Sequence, residues 1–272
     1  MDQLARRYWD QLALRWRISV PLAPAPEDID WFERRASAAR RSSLRALILG
    51  VTASIATMRW PPETSLVAAD WSVNMLRNVW PDQGTPPGAR VVCADWRELP
   101  FGDSSIELVV GDGCFTALGS EQAGREFTAE LRRILVPGGT VLMRCFCRPE
   151  PDIEPTQLFD LLYAGRLRNL DLFRWLLAVA THGESPAGVQ LGDVWQLWNQ
   201  HVGNPQFLRA RLGWTDDVFA NVERMKGSSM TYWFPTLAQI RTLVGPAMEV
   251  VEVESPGYEW GAVFPRLRLR AR

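Results

Sequence analysis

The chain has 272 residues, enough for one large α/β domain whose core needs no disulfide or metal staple. Thirty Lys and Arg against thirty-one Asp and Glu leave a formal charge of −1, which excludes the bulk cationic field that draws proteins to nucleic acid or anionic membranes. Four cysteines (Cys93, Cys114, Cys145, Cys147) lack the paired spacing of a zinc site, and two histidines are too few for a His-rich centre, so they read as reduced core thiols with no metal.

Residues 1–43 read as a helical cap, two helices separated by the extended link Pro21-Leu22-Ala23-Pro24-Ala25-Pro26. Met1 to Arg7 lacks the apolar core of a signal peptide, and the nearly apolar stretch Ala46 to Met58 falls short of the ~20 residues that span a bilayer. A cytoplasmic protein is expected. From Leu44 short apolar runs alternate with helical segments, the pattern of βαβ units. Strands are predicted near 44–49, 66–69, 90–94, 106–110 and 139–146, with helices over 53–59, 72–79 and 120–135. Pro137-Gly138-Gly139 stops the third helix.

Residues 149–229 lose the strand pattern and become leucine- and tryptophan-rich, a helical insertion. Residues 230–272 complete the sheet: strand-like Met230 to Phe234, a helix opened by the capping box Thr236/Gln239, and two strands, 248–254 and 261–269, joined at Pro256-Gly257. The fold expected is α/β, a Rossmann-like, mostly parallel seven-stranded sheet with an antiparallel last strand and helices on both faces. It forms a single domain, with 44–148 as its core.

The chemistry gathers at strand ends. Gly50-Val51-Thr52 follows the first strand, Asp70 ends the second, and Asp95-Trp96 follow the third, so polar groups collect on the edge where open α/β sheets bind ligands. An acid twenty residues beyond the first turn suits ribose hydroxyls, and an indole suits a flat base. Of the thirteen tryptophans most read as core, and Arg34, Arg35, Arg40, Arg41 and Arg45 as a solvated helix face. Arg266, Arg268, Arg270 and Arg272 alternate along a strand and are expected to reach water.

Asp70-Trp71-Ser72-Val73-Asn74-Met75-Leu76, Asp95-Trp96-Arg97-Glu98-Leu99-Pro100-Phe101 with Asp103-Ser104-Ser105-Ile106-Glu107, and Glu130-Leu131-Arg132-Arg133-Ile134-Leu135-Val136-Pro137-Gly138-Gly139 occur in that order. Together they resemble the class I S-adenosylmethionine-dependent methyltransferases, in the small-molecule branch similar to the ubiquinone and menaquinone C-methyltransferases. The resemblance implies S-adenosylmethionine as cofactor and S-adenosylhomocysteine as product. It places the methionine part over Gly50, Val51 and Thr52, ribose on Asp70, Trp71 and Met75 along the nucleoside, adenine by Asp95 and Trp96, and Gly111, Asp112 and Gly113 facing the amino acid moiety and sulfonium. It also makes 44–148 the cofactor-binding core and the insertion 149–229 a substrate lid. The sequence departs from the family's glycine-rich turn in having Ile48, Thr52 and Ser54 where an acid and two glycines are usual.

Methyl transfer needs no obligatory catalytic side chain. Where a proton must leave, Asp112, His201, His182 and Tyr232 are the candidate bases. Gly111-Asp112-Gly113-Cys114-Phe115 is not the N/D-P-P-Y of nucleic-acid and protein amide N-methyltransferases, so the expected partner is a small, partly apolar acceptor, with neither nucleic acid nor membrane. A binding module that keeps the fold without catalysis is the alternative. A nicotinamide oxidoreductase is disfavoured because the first turn lacks G-x-G-x-x-G.

Overall fold

In the computed structural model, which describes residues 3–14, 18–38 and 43–272, the apolar runs become parallel strands. They are β1 (Leu44–Leu49), β2 (Thr64–Asp70), β3 (Arg90–Cys93), β4 (Ile106–Asp112) and β5 (Leu135–Arg144). Successive side chains point to opposite faces. Leu47 and Leu49 pack with Val109, Val141 and Met143 under α6 (Glu121–Ile134) and α12 (Leu237–Val244). Ala46 and Ile48 pack with Leu108, Val110 and Leu142 under α2 (Pro26–Ala38) and α3 (Ala53–Ala56). Burial on both faces is why these strands read as continuous apolar runs.

The sheet is completed by β8 (Met248–Glu254) and β9 (Arg266–Ala271), in the order β3-β2-β1-β4-β5-β9-β8. β9 is antiparallel to both neighbours. The expected strand at 230–234 lies outside this sheet. Only Thr231–Tyr232 (β7) is extended, pairing with Val189–Gln190 (β6) in a separate ribbon, and Trp233 N–H donates to the Thr116 carbonyl at 3.2 Å instead of to a strand.

The last two strands are joined not by a tight turn but by residues 255–265, which contain a 3₁₀ turn at Gly261–Val263. Gly257 N–H there donates to the Glu27 carboxylate at 3.0 Å. Because β9 starts at Arg266, that side chain falls beside α2 and is buried, paired with Glu27, Asp28 and Glu254, contrary to the row of exposed arginines expected; Arg270 and Arg272 are exposed. Arg35 likewise pairs with Glu252 and Glu254 over the Trp31 ring. Arg34 and Arg45 are exposed, and Arg40 and Arg41 lie outside the described residues. Three cysteines are buried; Cys93 is exposed, contrary to a core role.

Residues 149–229 form α7 (Pro155–Tyr163), α8 (Leu170–His182), α9 (Leu191–His201), α10 (Pro205–Leu212) and α11 (Asp216–Glu223), packed around Phe159, Phe173, Leu176 and Trp198. Among the described residues no helix is long and apolar enough to cross a membrane.

The link before α2 is fastened by Arg144, which is wholly buried. Its Nε and Nη2 donate to Asp112 at 2.7 and 3.0 Å, Nη1 to the Pro21 carbonyl at 2.6 Å and Asp28 at 3.3 Å, and Nη2 to the Leu22 carbonyl at 2.7 Å. Removing one partner of such a network strands buried charge. Arg144→Met is expected to lower unfolding stability by about 3 kcal/mol, read from chemical denaturation midpoints. A loss below about 1 kcal/mol would show that the network is not a principal brace.

Candidate active site

β1 lies where the sheet order reverses direction, between β2 and β4, so a crevice opens beyond its C-terminal end. The register aligns Leu49 with Ala69 and Gly111, and Asp112 with Arg144, which brings the following residues into one row. Gly50 turns at φ +84°, and its N–H donates to the Ala69 carbonyl at 2.8 Å. The Trp96 indole N–H donates to the same carbonyl at 2.7 Å, so the ring is held against the turn. A Cβ on Gly50 would stand 3.3 Å from that ring. Thr52 sits at φ −109°, ordinary extended backbone, so its place in the altered turn carries no conformational strain.

Asp70 accepts from Ser72 N–H at 2.8 Å. Burial pushes its carboxyl up to about 7 against the pull of the Ser72 and Val51 amides, and the Asp10 carboxylate adds to the rise. Asp10 belongs to α1 (Gln3–Ala13) and accepts from Ser72 Oγ at 2.5 Å and Asn74 N–H at 3.4 Å. Ser72 Oγ in turn accepts from Met75 N–H at 3.1 Å, capping α4 (Val73–Asn78). This contact lays α1 across the crevice.

The result is a cavity of about 320 Å³. Gly50, Val51, Thr52 and Asp70 line it, as do Trp71, Met75, Trp96 and Asp112. Asp95 and Gly111 do not. The Asp95 carboxylate faces Arg97, accepting from its N–H, Nε and Nη2 at 3.0, 3.0 and 2.8 Å. Against the cost of burial, those bonds hold its carboxyl well below the usual range. Gly111 is packed inside β4, where a Cβ would meet Cys114 Sγ at 2.7 Å. Gly113 turns at φ +67°, and a Cβ there would lie 2.7 Å from the Phe146 ring.

Of the candidate bases, Asp112 and Tyr232 line the cavity. Both Asp112 oxygens accept from Arg144, and burial pushes its carboxyl up while the guanidinium opposes the rise. The Tyr232 phenol is raised by burial, with the Tyr8 phenol beside it, which leaves it a neutral donor rather than a base. His201 lies outside the lining, stacked on Phe159 at 4.5 Å. His182, also outside, sets Nδ1 2.7 Å from the Gly183 carbonyl. The remaining wall includes residues not anticipated from sequence: Tyr8, Trp9 and Leu12 of α1, Phe146, and Arg174 and Trp175 of α8. A stripe at 8 and 12, and one acid–base pair inside an otherwise apolar helix, were the available signals.

This donor set fits a nucleoside with a sulfonium side chain. Asp70 can accept from sugar hydroxyls, Trp71, Trp96 and Met75 offer flat apolar surface, and the Gly50 turn leaves backbone bare. A family model, the methyltransferase domain, matches residues 49–143. Residues 49–143 thus carry a methyltransferase domain, and the protein is an S-adenosylmethionine-dependent methyltransferase.

No curated protein sequence matches the chain at a significant level. Among solved structures, the N-methyltransferase NodS of Bradyrhizobium japonicum, in complex with S-adenosylhomocysteine, aligns over 99% of this chain and 99% of its own at 10% identity, TM-score 0.53. A Rhodobacter sphaeroides protein named for Zn-dependent alcohol dehydrogenases aligns over 100% and 99% at 12% identity, TM-score 0.62. A Nostoc punctiforme protein named as an O-methyltransferase aligns over 97% of this chain and 60% of its own at 11% identity, TM-score 0.51. At these identities the likeness is one of fold. Among the described residues no three His, Cys, Asp or Glu side chains are grouped to hold a metal ion.

The methyltransferase carries a pH signature at Asp70. An acid whose carboxyl is raised on folding holds, between about pH 4 and 7, a proton that the unfolded chain has released. Its contribution to stability is therefore complete below about pH 4 and lost as pH rises through 7. Asp70→Asn should flatten the fall in melting temperature across that window, measured by thermal denaturation of the ligand-free protein. Parallel profiles for wild type and variant would refute this.

Proposed function

We propose that the methyltransferase acts on a small, partly apolar acceptor held in the same cavity as its cofactor. One observation carries the reading: a single cavity of about 320 Å³ joins the strand-end residues Gly50, Asp70 and Trp96 to an aromatic wall of Phe146, Trp175 and Tyr232. A chamber of that size, roofed by helices, suits a compact molecule rather than a polymer. In this reading 44–148 is the cofactor-binding core, 1–43 and 149–229 close over it as cap and lid, and 230–272 completes the sheet. The likeness to the quinone C-methyltransferases rests on the sequence motifs alone.

When bound, S-adenosylmethionine supplies a sulfonium methyl carbon with a neutral thioether as leaving group. The chain's share is geometry and dryness. Asp70 accepts from the ribose hydroxyls, Trp96 and Met75 bound the nucleoside, and α1 and α8 exclude water from the reacting end. With Asp112 engaged by Arg144 and Tyr232 kept neutral, neither of these two cavity-lining candidates stands ready as a base. An acceptor that arrives already nucleophilic suits this wall.

Calorimetric titration with S-adenosylhomocysteine tests the cofactor side. Micromolar binding is expected, with a Kd raised about tenfold or more in folded Asp70→Ala. Because the Asp70 carboxyl is raised to about 7 and must ionise to accept two hydroxyls, binding at pH 7 should release up to about half a proton. That release appears as an enthalpy that changes with the buffer's heat of ionisation. Binding that is unchanged in Asp70→Ala overturns the assignment of Asp70.

A further inference from the structure

α8 is buried nearly all round, and the acid and base within it are Asp171 and Arg174, three residues apart. Arg174 is 9% exposed and lines the cavity. Its Nε donates to Asp171 Oδ1 at 3.1 Å. Asp171 is itself held by Asn221 Nδ2 at 3.0 Å and Ser19 Oγ at 3.3 Å. The guanidinium is thus fixed by one edge, while its two terminal nitrogens have no hydrogen-bond partner among the described residues. Donors with no protein partner on the wall of a cavity are suited to an incoming acceptor group.

The surroundings narrow what that group belongs to. Trp175 lies beside Arg174 in sequence, with its ring 5.0 Å from Phe146 edge-on and 5.1 Å from Tyr232. The three rings pack on one another and present one aromatic face to the cavity, a surface suited to a flat ring. The Tyr8 and Tyr232 phenols are neighbours at the same end. Other acids on the wall are committed elsewhere: Asp112 faces Arg144, and Asp70 stands at the end of β2 beside Ser72. The free edge of one guanidinium matches a planar, singly charged oxyanion in shape and charge. A phosphate dianion would bring a second charge with nothing in this wall to meet it.

We infer that Arg174 binds the carboxylate of a flat aromatic methyl acceptor whose ring lies against the face that Trp175, Phe146 and Tyr232 present to the cavity. This rests on the proposed sharing of one cavity by cofactor and acceptor. Arg174 selects and orients the acceptor; it takes no part in breaking or making the methyl bonds.

The test is calorimetric binding of benzoate and 2-naphthoate, against benzamide and 2-naphthamide, to protein saturated with S-adenosylhomocysteine. If the cofactor reading fails, S-adenosylhomocysteine itself gives no heat, which separates that failure from this one. The expected result is that an acid binds at least about tenfold more tightly than its amide. Arg174→Gln should abolish that preference while its affinity for S-adenosylhomocysteine stays within about threefold of wild type. Should Arg174→Gln not fold, Arg174→Lys keeps a counter-charge for Asp171 but lacks the planar edge, and should lose most of the preference. Equal binding of acid and amide, no binding of either acid, or full preference retained in a folded variant overturns the inference.

Discussion

A guanidinium sealed from water must have its donors taken, and Arg144 satisfies this by reaching across three parts of the chain at once. It takes both oxygens of Asp112 from the neighbouring strand and the carbonyls of Pro21 and Leu22 from the link ahead of α2. The rings of Phe146 and Phe264 lie 5.1 and 5.6 Å from it. Through this one side chain the N-terminal segment is seated on the end of the sheet. Asp28, shared between Arg144 and Arg266, extends the same fastening to β9.

The cavity is a by-product of that seating. Its floor follows from strand register, which places Gly50, Asp70 and Asp112 at neighbouring strand ends. Its roof is the chain's opening helix, held by Asp10 on Ser72 and Asn74, together with α8 of the insertion. Floor and roof differ in character. The floor carries acids and bare backbone, and the roof carries aromatic rings and a single guanidinium, so a charged nucleoside and a flatter partner can each find matching surface.

The floor was legible in the sequence because each of its residues sits at a fixed offset from an apolar run. Gly50, Asp70, Trp96 and Asp112 were found that way, and all line the cavity. Asp95 was read by the same rule and turned aside because Arg97, two residues on, claims its carboxylate. Gly111 was read as site and is packing, since its missing Cβ makes room for Cys114. The roof could not be read by offset. That Tyr8 meets Tyr232, or that Arg174 faces the strand ends, depends on contacts between parts of the chain far apart in sequence. Tyr232 itself was named for its chemistry, but its strand was assigned to the wrong sheet. The arginines misled for a related reason: alternation placed Arg266 on a face, yet which face meets α2 is decided by Glu27 and Asp28, some 240 residues upstream.

The bond from Arg144 to the Pro21 carbonyl closes a loop of 123 residues. Contacts of such separation are entropically expensive to form early, and chains dominated by them fold slowly. During synthesis this segment emerges ahead of β4 and β5 and must therefore wait, without its eventual seat, until they have been made and paired. A nascent chain that has assembled its sheet but not this contact possesses a binding floor open to water. The order of assembly thus runs against the order of the sequence, and the enclosure of a ligand waits on a segment made before the strands it covers.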